Sequence, residues 1–170
     1  MQTDLTVIKK EAQNKFEENQ TFFIYLKKFA SEILSPHIKE ISNKVSSKVD
    51  CTACANCCKS LNPTLVERNI IEFSETLKED QMLRLKENLF FDKMNNRWIV
   101  NSSPCPLLEN NLCVVYSGRP HSCREYPHIE PNEFKYKKIS IINNYGICPI
   151  VYNTVELLKE RLKFNSLQEN

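Results

Sequence analysis

Eight cysteines constrain this 170-residue chain more than any other feature. Four of them fall inside one short stretch, Cys51-Thr-Ala-Cys54-Ala-Asn-Cys57-Cys58. The others, Cys105, Cys113, Cys123 and Cys148, are spread through the C-terminal half. In an oxidising compartment such a set reads as a disulfide framework, and in a reducing one as metal ligands or redox groups. Two observations favour the second. The opening residues, MQTDLTVIKKEAQNK, carry no apolar run of the kind a secretion signal needs, so the expected compartment is the cytoplasm. Disulfide scaffolds are usually short chains with more than about 8–10% cysteine, and this chain is longer and poorer in cysteine.

Spacing narrows the chemistry. Cys51-x-x-Cys54 is a two-thiolate claw, because two intervening residues let both sulfurs reach one centre from a tight turn. Zinc takes four such ligands in a tetrahedron. A Cys-x-x-Cys-x-x-Cys run followed by a distant cysteine suits a [4Fe–4S] cluster equally well. Spacing does not separate the two. Adjacent side chains diverge, so one of Cys57 and Cys58 is expected to point away from the first centre. Two tetrahedral sites would use all eight cysteines and a single cluster only four, and both counts stay open.

Cys105 and Cys113 flank Asn110-Asn111, the layout of a hairpin with one thiol on each arm. Arg119 and Arg124 bracket Cys123. A four-thiolate zinc site carries a net charge of −2, and these arginines are expected to offset it and donate to sulfur. His37, His121 and His128 are weaker candidates; only His121, two residues from Cys123, is placed to replace a thiol. No nucleophile–base–acid set is visible, and a metal-bound thiol is not free to attack. Tyr116, Tyr126, Trp98 and Phe91 read as core.

Composition bounds the rest. With 41% hydrophobic and 26% charged residues, the chain should fold as a soluble globular domain. Two glycines in all disfavour P-loops and dinucleotide turns. The net charge of +2 is interleaved, so nucleic acid is not an implied partner. No apolar run approaches the roughly 20 residues of a membrane span. Lys135, Lys137 and Lys138 read as solvated surface.

Leu5, Ile8, Ala12, Phe16, Phe23, Leu26, Ala30 and Ile33 recur at helical spacing over 5–34, with a break expected at Asn19-Gln20 and the apolar face packed on the chain's own core. Ser35-Pro36 predicts a stop and restart, followed by a helix with Ile38, Ile41 and Val45 inward. Thr64-Leu-Val-Glu67 reads as a capping box opening a helix with Val66, Ile70, Phe73 and Leu77 on one side. Met82, Leu85 and Leu89 mark another. Asn95-Asn96 reads as a turn, 98–100 and 114–116 as strands that could pair, and 139–142 as one more strand. Val151, Val155, Leu158 and Leu162 mark a C-terminal helix. The expectation is a mainly α fold with a small β-hairpin and an irregular cysteine-rich region organised around a metal centre. It forms one domain over 1–170: a helical region 1–49, a metal-binding core 51–150 and a C-terminal helix 151–170.

The string Cys51-x-x-Cys54-x-x-Cys57-Cys58 resembles the signature of the CxxCxxCC, or YkgJ-like, family of zinc- or iron-chelating cysteine-cluster proteins. The likeness continues through Cys105-Pro-Leu-Leu, Cys113-Val-Val-Tyr116, Arg119-Pro120-x-x-Cys123-Arg124-x-Tyr126-Pro127 and Cys148-Pro149, in the family's order, over roughly residues 51–150. One departure is Ala55, where the family often has glycine; only a strictly positive φ would make that matter. The resemblance implies a small cytosolic bacterial protein that binds zinc or iron through Cys51, Cys54, Cys57, Cys58, Cys105, Cys113, Cys123 and Cys148. A similar module occurs in flagellin lysine methylases. The alternative function is therefore an iron–sulfur oxidoreductase or small modifying enzyme, although no substrate or S-adenosylmethionine site is matched.

Overall fold

The computed structural model describes residues 1–165. The fold is mainly helical, 56% helix against 8% strand. In chain order it runs α1 (Leu5–Asn14), α2 (Phe16–Leu26), α3 (Ser31–Ser46), α4 (Cys51–Cys54), α5 (Asn56–Ser60), β1 (Thr64–Leu65), α6 (Glu67–Thr76) and α7 (Glu79–Glu87). There follow β2 (Leu89–Asp92), β3 (Arg97–Val100), β4 (Leu108–Glu109), β5 (Leu112–Cys113) and α8 (His121–Arg124). A 3-10 turn at Phe134–Tyr136, α9 (Lys138–Tyr145) and α10 (Pro149–Arg161) complete it. Contacts divide the chain into two compact units, Met1–Asp50 with Pro127–Asn170, and Cys51–Tyr126.

The first unit is helical. Asp4 caps α1, its carboxylate accepting from the Thr6 and Val7 N–H groups. The break expected at Asn19-Gln20 falls instead at Lys15 and again at 27–30, and Asn19 lies buried within α2. The shift at Lys15 turns Phe16 out to solvent and brings Phe22 in beside Phe23 and Leu26, all three fully buried. Ile33 is also exposed.

Pro36 does not restart a helix. It lies inside α3, whose N-cap is Ala30, and the Ser35 hydroxyl donates back to the Ser31 carbonyl. Burial explains the earlier start. Leu34, Ile38, Ile41 and Val45 make one buried stripe, and Leu34 extends it a half-turn upstream of the proline. That gain outweighs the backbone hydrogen bond a helical proline removes.

α10 packs on α3 and α9, with Pro149 in its first turn and Val151, Val155 and Leu158 buried. Residues 139–142 are not a strand. They belong to α9, because Ile141 and Tyr145, one turn apart, are both buried and tertiary burial overrides β-propensity. Lys135 is buried rather than solvated, its ammonium donating to the Phe29 carbonyl at 2.6 Å. Between the helices sits a polar cluster. The Lys159 Nζ donates to Glu18 at 2.6 Å and Glu156 at 2.8 Å, Tyr145 donates to Glu156 at 2.9 Å, and Lys15 closes on the other Glu156 oxygen.

The second unit holds a three-stranded antiparallel sheet in the order β1-β3-β2, and a two-stranded one, β4-β5. β2 and β3 form a hairpin through the expected Asn95-Asn96 turn, where Asp92 accepts from the Met94 and Asn95 N–H groups. The pairing of 98–100 with 114–116 does not occur: β3 takes β2 and β1 as partners. Thr64 is therefore a strand residue, not a cap. α6 starts with Val66, whose N–H donates to the Asn69 side chain. The core beneath is Leu65, Phe73, Met82, Leu85, Val100, Leu107 and Val115, with Cys105 and Cys113 packed against it. Among the described residues no helix is long and apolar enough to cross a membrane.

Candidate metal centre

α4 places Cys51 and Cys54 three residues apart on a single helical turn. The Ala55 N–H donates to the Cys51 carbonyl at 2.9 Å, and the chain then changes direction. Ala55 has φ 48° and ψ 16°, the left-handed region. The φ is positive, so the departure from glycine does matter here, because a Cβ in that conformation crowds the following carbonyl. Beyond it α5 carries Cys57 and Cys58, with their sulfurs 3.9 Å apart.

One downstream cysteine, Cys105, meets α5 through the backbone. The Cys105 N–H donates to the Cys58 carbonyl at 2.8 Å. Cys113 lies on β5, opposite Leu108, and the turn between the arms uses Asn110 and Asn111 with φ of 50° and 65°. Asparagine tolerates that conformation and so permits the two-residue hairpin. The Asn111 side chain donates to the Ala53 carbonyl at 3.3 Å, tying the hairpin tip to α4. Cys123 sits on α8, anchored to β1 where the Ser122 hydroxyl donates to the Thr64 carbonyl at 2.8 Å.

Four thiols share one electrostatic environment. Burial pushes Cys105 up to about 11, and the neighbouring Cys113, Cys58 and Cys123 add to it. Burial also pushes Cys123 up to about 11, again with Cys58 and Cys113 contributing, and raises Cys113. Cys58 goes the other way, down to about 7. Its hydrogen bond with Cys57 is the main cause, burial opposes it, and the charges of Arg119 and Lys59 help. Two backbone donors were not legible in the sequence: the Leu107 N–H donates to the Cys105 sulfur, and the Val115 N–H to the Cys113 sulfur. Each stands two residues beyond its cysteine, and each favours the thiolate.

Arg119 and Arg124 part company. The Arg119 guanidinium stacks 3.8 Å from the Tyr116 ring centre, its Nε donates to the Tyr116 carbonyl, and its charge favours the thiolates of Cys58, Cys113 and Cys123. Tyr116 is accordingly an exposed platform and not core. Arg124 faces solvent and pairs with Glu125 at 3.5 Å. His121 is exposed near Glu125, and His37 contacts Arg161. Cys148 is buried at the N-cap of α10, in the first unit.

None of the eight cysteines is joined in a disulfide. Among the described residues no three His, Cys, Asp or Glu side chains are already drawn around one point. The donor chemistry of the second unit nevertheless fits a soft cation: thiols pinned by backbone bonds, amide donors aimed at sulfur, and a guanidinium offsetting negative charge.

These features make the second unit a thiol-rich module. The family model CxxCxxCC, described as "Putative zinc- or iron-chelating domain", matches residues 50–145. The chain belongs to this family. No curated protein and no solved structure matches it.

Proposed function

We propose that residues 51–126 are a thiolate centre that holds zinc or iron, with Cys51, Cys54, Cys57, Cys58, Cys105, Cys113 and Cys123 supplying sulfur and Arg119 offsetting its charge. What supports this reading is the 2.8 Å bond from the Cys105 N–H to the Cys58 carbonyl, together with the electrostatic influence that Cys58, Cys105, Cys113 and Cys123 have on one another. Thiolates so supported suit Zn²⁺ as a structural ion, and they suit an iron–sulfur cluster as a redox group. Bound metal contributes to folding directly, because the unfolded chain has no assembled site.

Anaerobic purification with elemental analysis and an ultraviolet–visible spectrum tests this. Stoichiometric zinc in a colourless protein supports a structural or transfer role. Iron with visible absorption that bleaches on dithionite supports the iron–sulfur reading and, with it, an oxidoreductase. Absence of both metals from protein handled throughout without chelator would overturn the proposal.

A further inference from the structure

α3 lines a groove that the cysteine chemistry does not use. The groove lies within the first unit, encloses about 710 Å³ and follows α3 from Glu32 to Asn43. At 1.5 Å per helical residue that is roughly 16 Å. The other wall is Ile129, Pro131 and Asn132. There Glu130–Glu133 make a tight turn, closed where the Glu133 N–H donates to the Glu130 carbonyl at 3.0 Å. Pro131 takes the turn position that suits its fixed φ, so the wall opposite the helix is stiff.

The two walls are tied together, and they present acceptors. The Ser35 Oγ stands 2.6 Å from both the Ser31 carbonyl and the Asn132 side-chain amide. One hydroxyl proton cannot serve both, so the Asn132 amide donates to Ser35 and keeps its own oxygen available. Pro36 has no N–H, so the Glu32 carbonyl lacks the helical bond it would otherwise accept. Charge is separated along the groove. Glu32 stands at one end, and Lys39 lies seven residues, or about 10 Å, further along α3. Neither makes an ion pair among the described residues. Between them Pro36, Ile129 and Pro131 are apolar.

The open shape bears on the occupant. Glu32, Pro36, Lys39, Asn43 and Asn132 are all exposed. A small ligand buries roughly 70–90% of its surface in its site, and this groove does not wrap far enough to do that. An extended peptide asks for less. Its backbone N–H groups can donate to the Glu32 carbonyl and the Asn132 oxygen, while a side chain rests on the apolar stretch.

We propose that this groove binds a short extended peptide segment of another protein, with a lysine or arginine toward Glu32, an aspartate or glutamate toward Lys39, and an apolar residue between. An extended chain advances about 3.3–3.6 Å per residue, so the two charges of the peptide stand three residues apart.

The test follows amide chemical shifts of the ¹⁵N-labelled full chain during titration with the blocked peptide Ser-Lys-Val-Leu-Glu-Ser. The expected result is saturable shifts at residues 32–43 and 129–132 below about 1 mM peptide. Glu32→Lys, a change at an exposed position, should weaken this peptide about tenfold and strengthen Ser-Glu-Val-Leu-Glu-Ser by a similar factor. No shift at these residues would overturn the proposal, and so would equal affinity of the unaltered chain for both peptides. Equal shifts from free lysine or free leucine would also overturn it, by making the groove a small-molecule site.

Discussion

The backbone N–H of Cys105 donates to the carbonyl oxygen of Cys58 at 2.8 Å, joining the cysteine-rich stretch to the first of the downstream cysteines. It brings two distant parts of the chain to one place, and so lowers the conformational cost of assembling the thiols that they carry.

Ala55→Gly should stabilise the protein. Ala55 is buried and holds φ 48°, where an L side chain costs about 1–2 kcal/mol that glycine does not incur. Glycine also gives up more freedom on folding, so the expected net gain is about 0.5–1 kcal/mol. A denaturant midpoint that falls in Ala55→Gly would show that the backbone there is not strained.

Gly146→Ala should do the opposite. A Cβ at Gly146 would stand 2.9 Å from the Ala12 Cβ, so α1 would have to shift from the end of α9. Overpacking of this kind costs about 1–3 kcal/mol, read as a lowered thermal midpoint. An unchanged midpoint would mean that the two helices are not in close contact.

The polar cluster around Glu156 sets an acid limit. Burial by itself would raise the Glu156 pKa, but hydrogen bonds from Lys15 and Lys159 outweigh it and hold the carboxylate below its ordinary 4.5. A depressed carboxylate stabilises the fold fully above the unfolded value, and that contribution is lost as pH falls through the folded one. The thermal midpoint should therefore drop below pH about 4.5. Lys15 sets the alkaline limit: burial opposes its charge, Glu156 outweighs burial, and its pKa lies above 10.5, so its contribution is lost only above that pH. Lys159→Ala leaves the half-buried Glu156 and Glu18 carboxylates short of a partner and should cost about 1–3 kcal/mol at pH 7. Glu156→Gln should flatten the acid limb; an unaltered limb would assign it to other groups.

Much of this was legible in the sequence, and what was not has identifiable causes. The cysteine stretch, the Asn110-Asn111 hairpin, the Asn95-Asn96 turn and the inward face of Ile38, Ile41 and Val45 follow from spacing and turn chemistry, which are local. Pro36 misled because the buried Leu34 rewards a helix that runs through it. Thr64 misled because a capping pattern is also a good strand sequence, and the choice depended on β3, more than thirty residues away. Ile139–Ile142 misled because β-branched residues also suit a buried helix face. At the site, thiols and arginines show as letters. The Leu107 and Val115 amide donors do not, because every residue carries a backbone N–H and only the fold aims it at sulfur.

Removal of metal should act on the cysteine-bearing unit. With chelator, amide exchange should rise across residues 51–126, while α3 and α10 keep their protection, because their stripe of Leu34, Ile38, Ile41, Val45, Val155 and Leu158 contains no ligand. Equal exchange with and without chelator would separate metal from folding.

The most direct test is X-ray absorption at the metal edge of the protein as isolated. A coordination shell dominated by sulfur at about 2.3 Å is the result predicted here. A shell dominated by nitrogen or oxygen at about 2.0–2.2 Å would contradict it, since the ion would then be held by something other than these thiols.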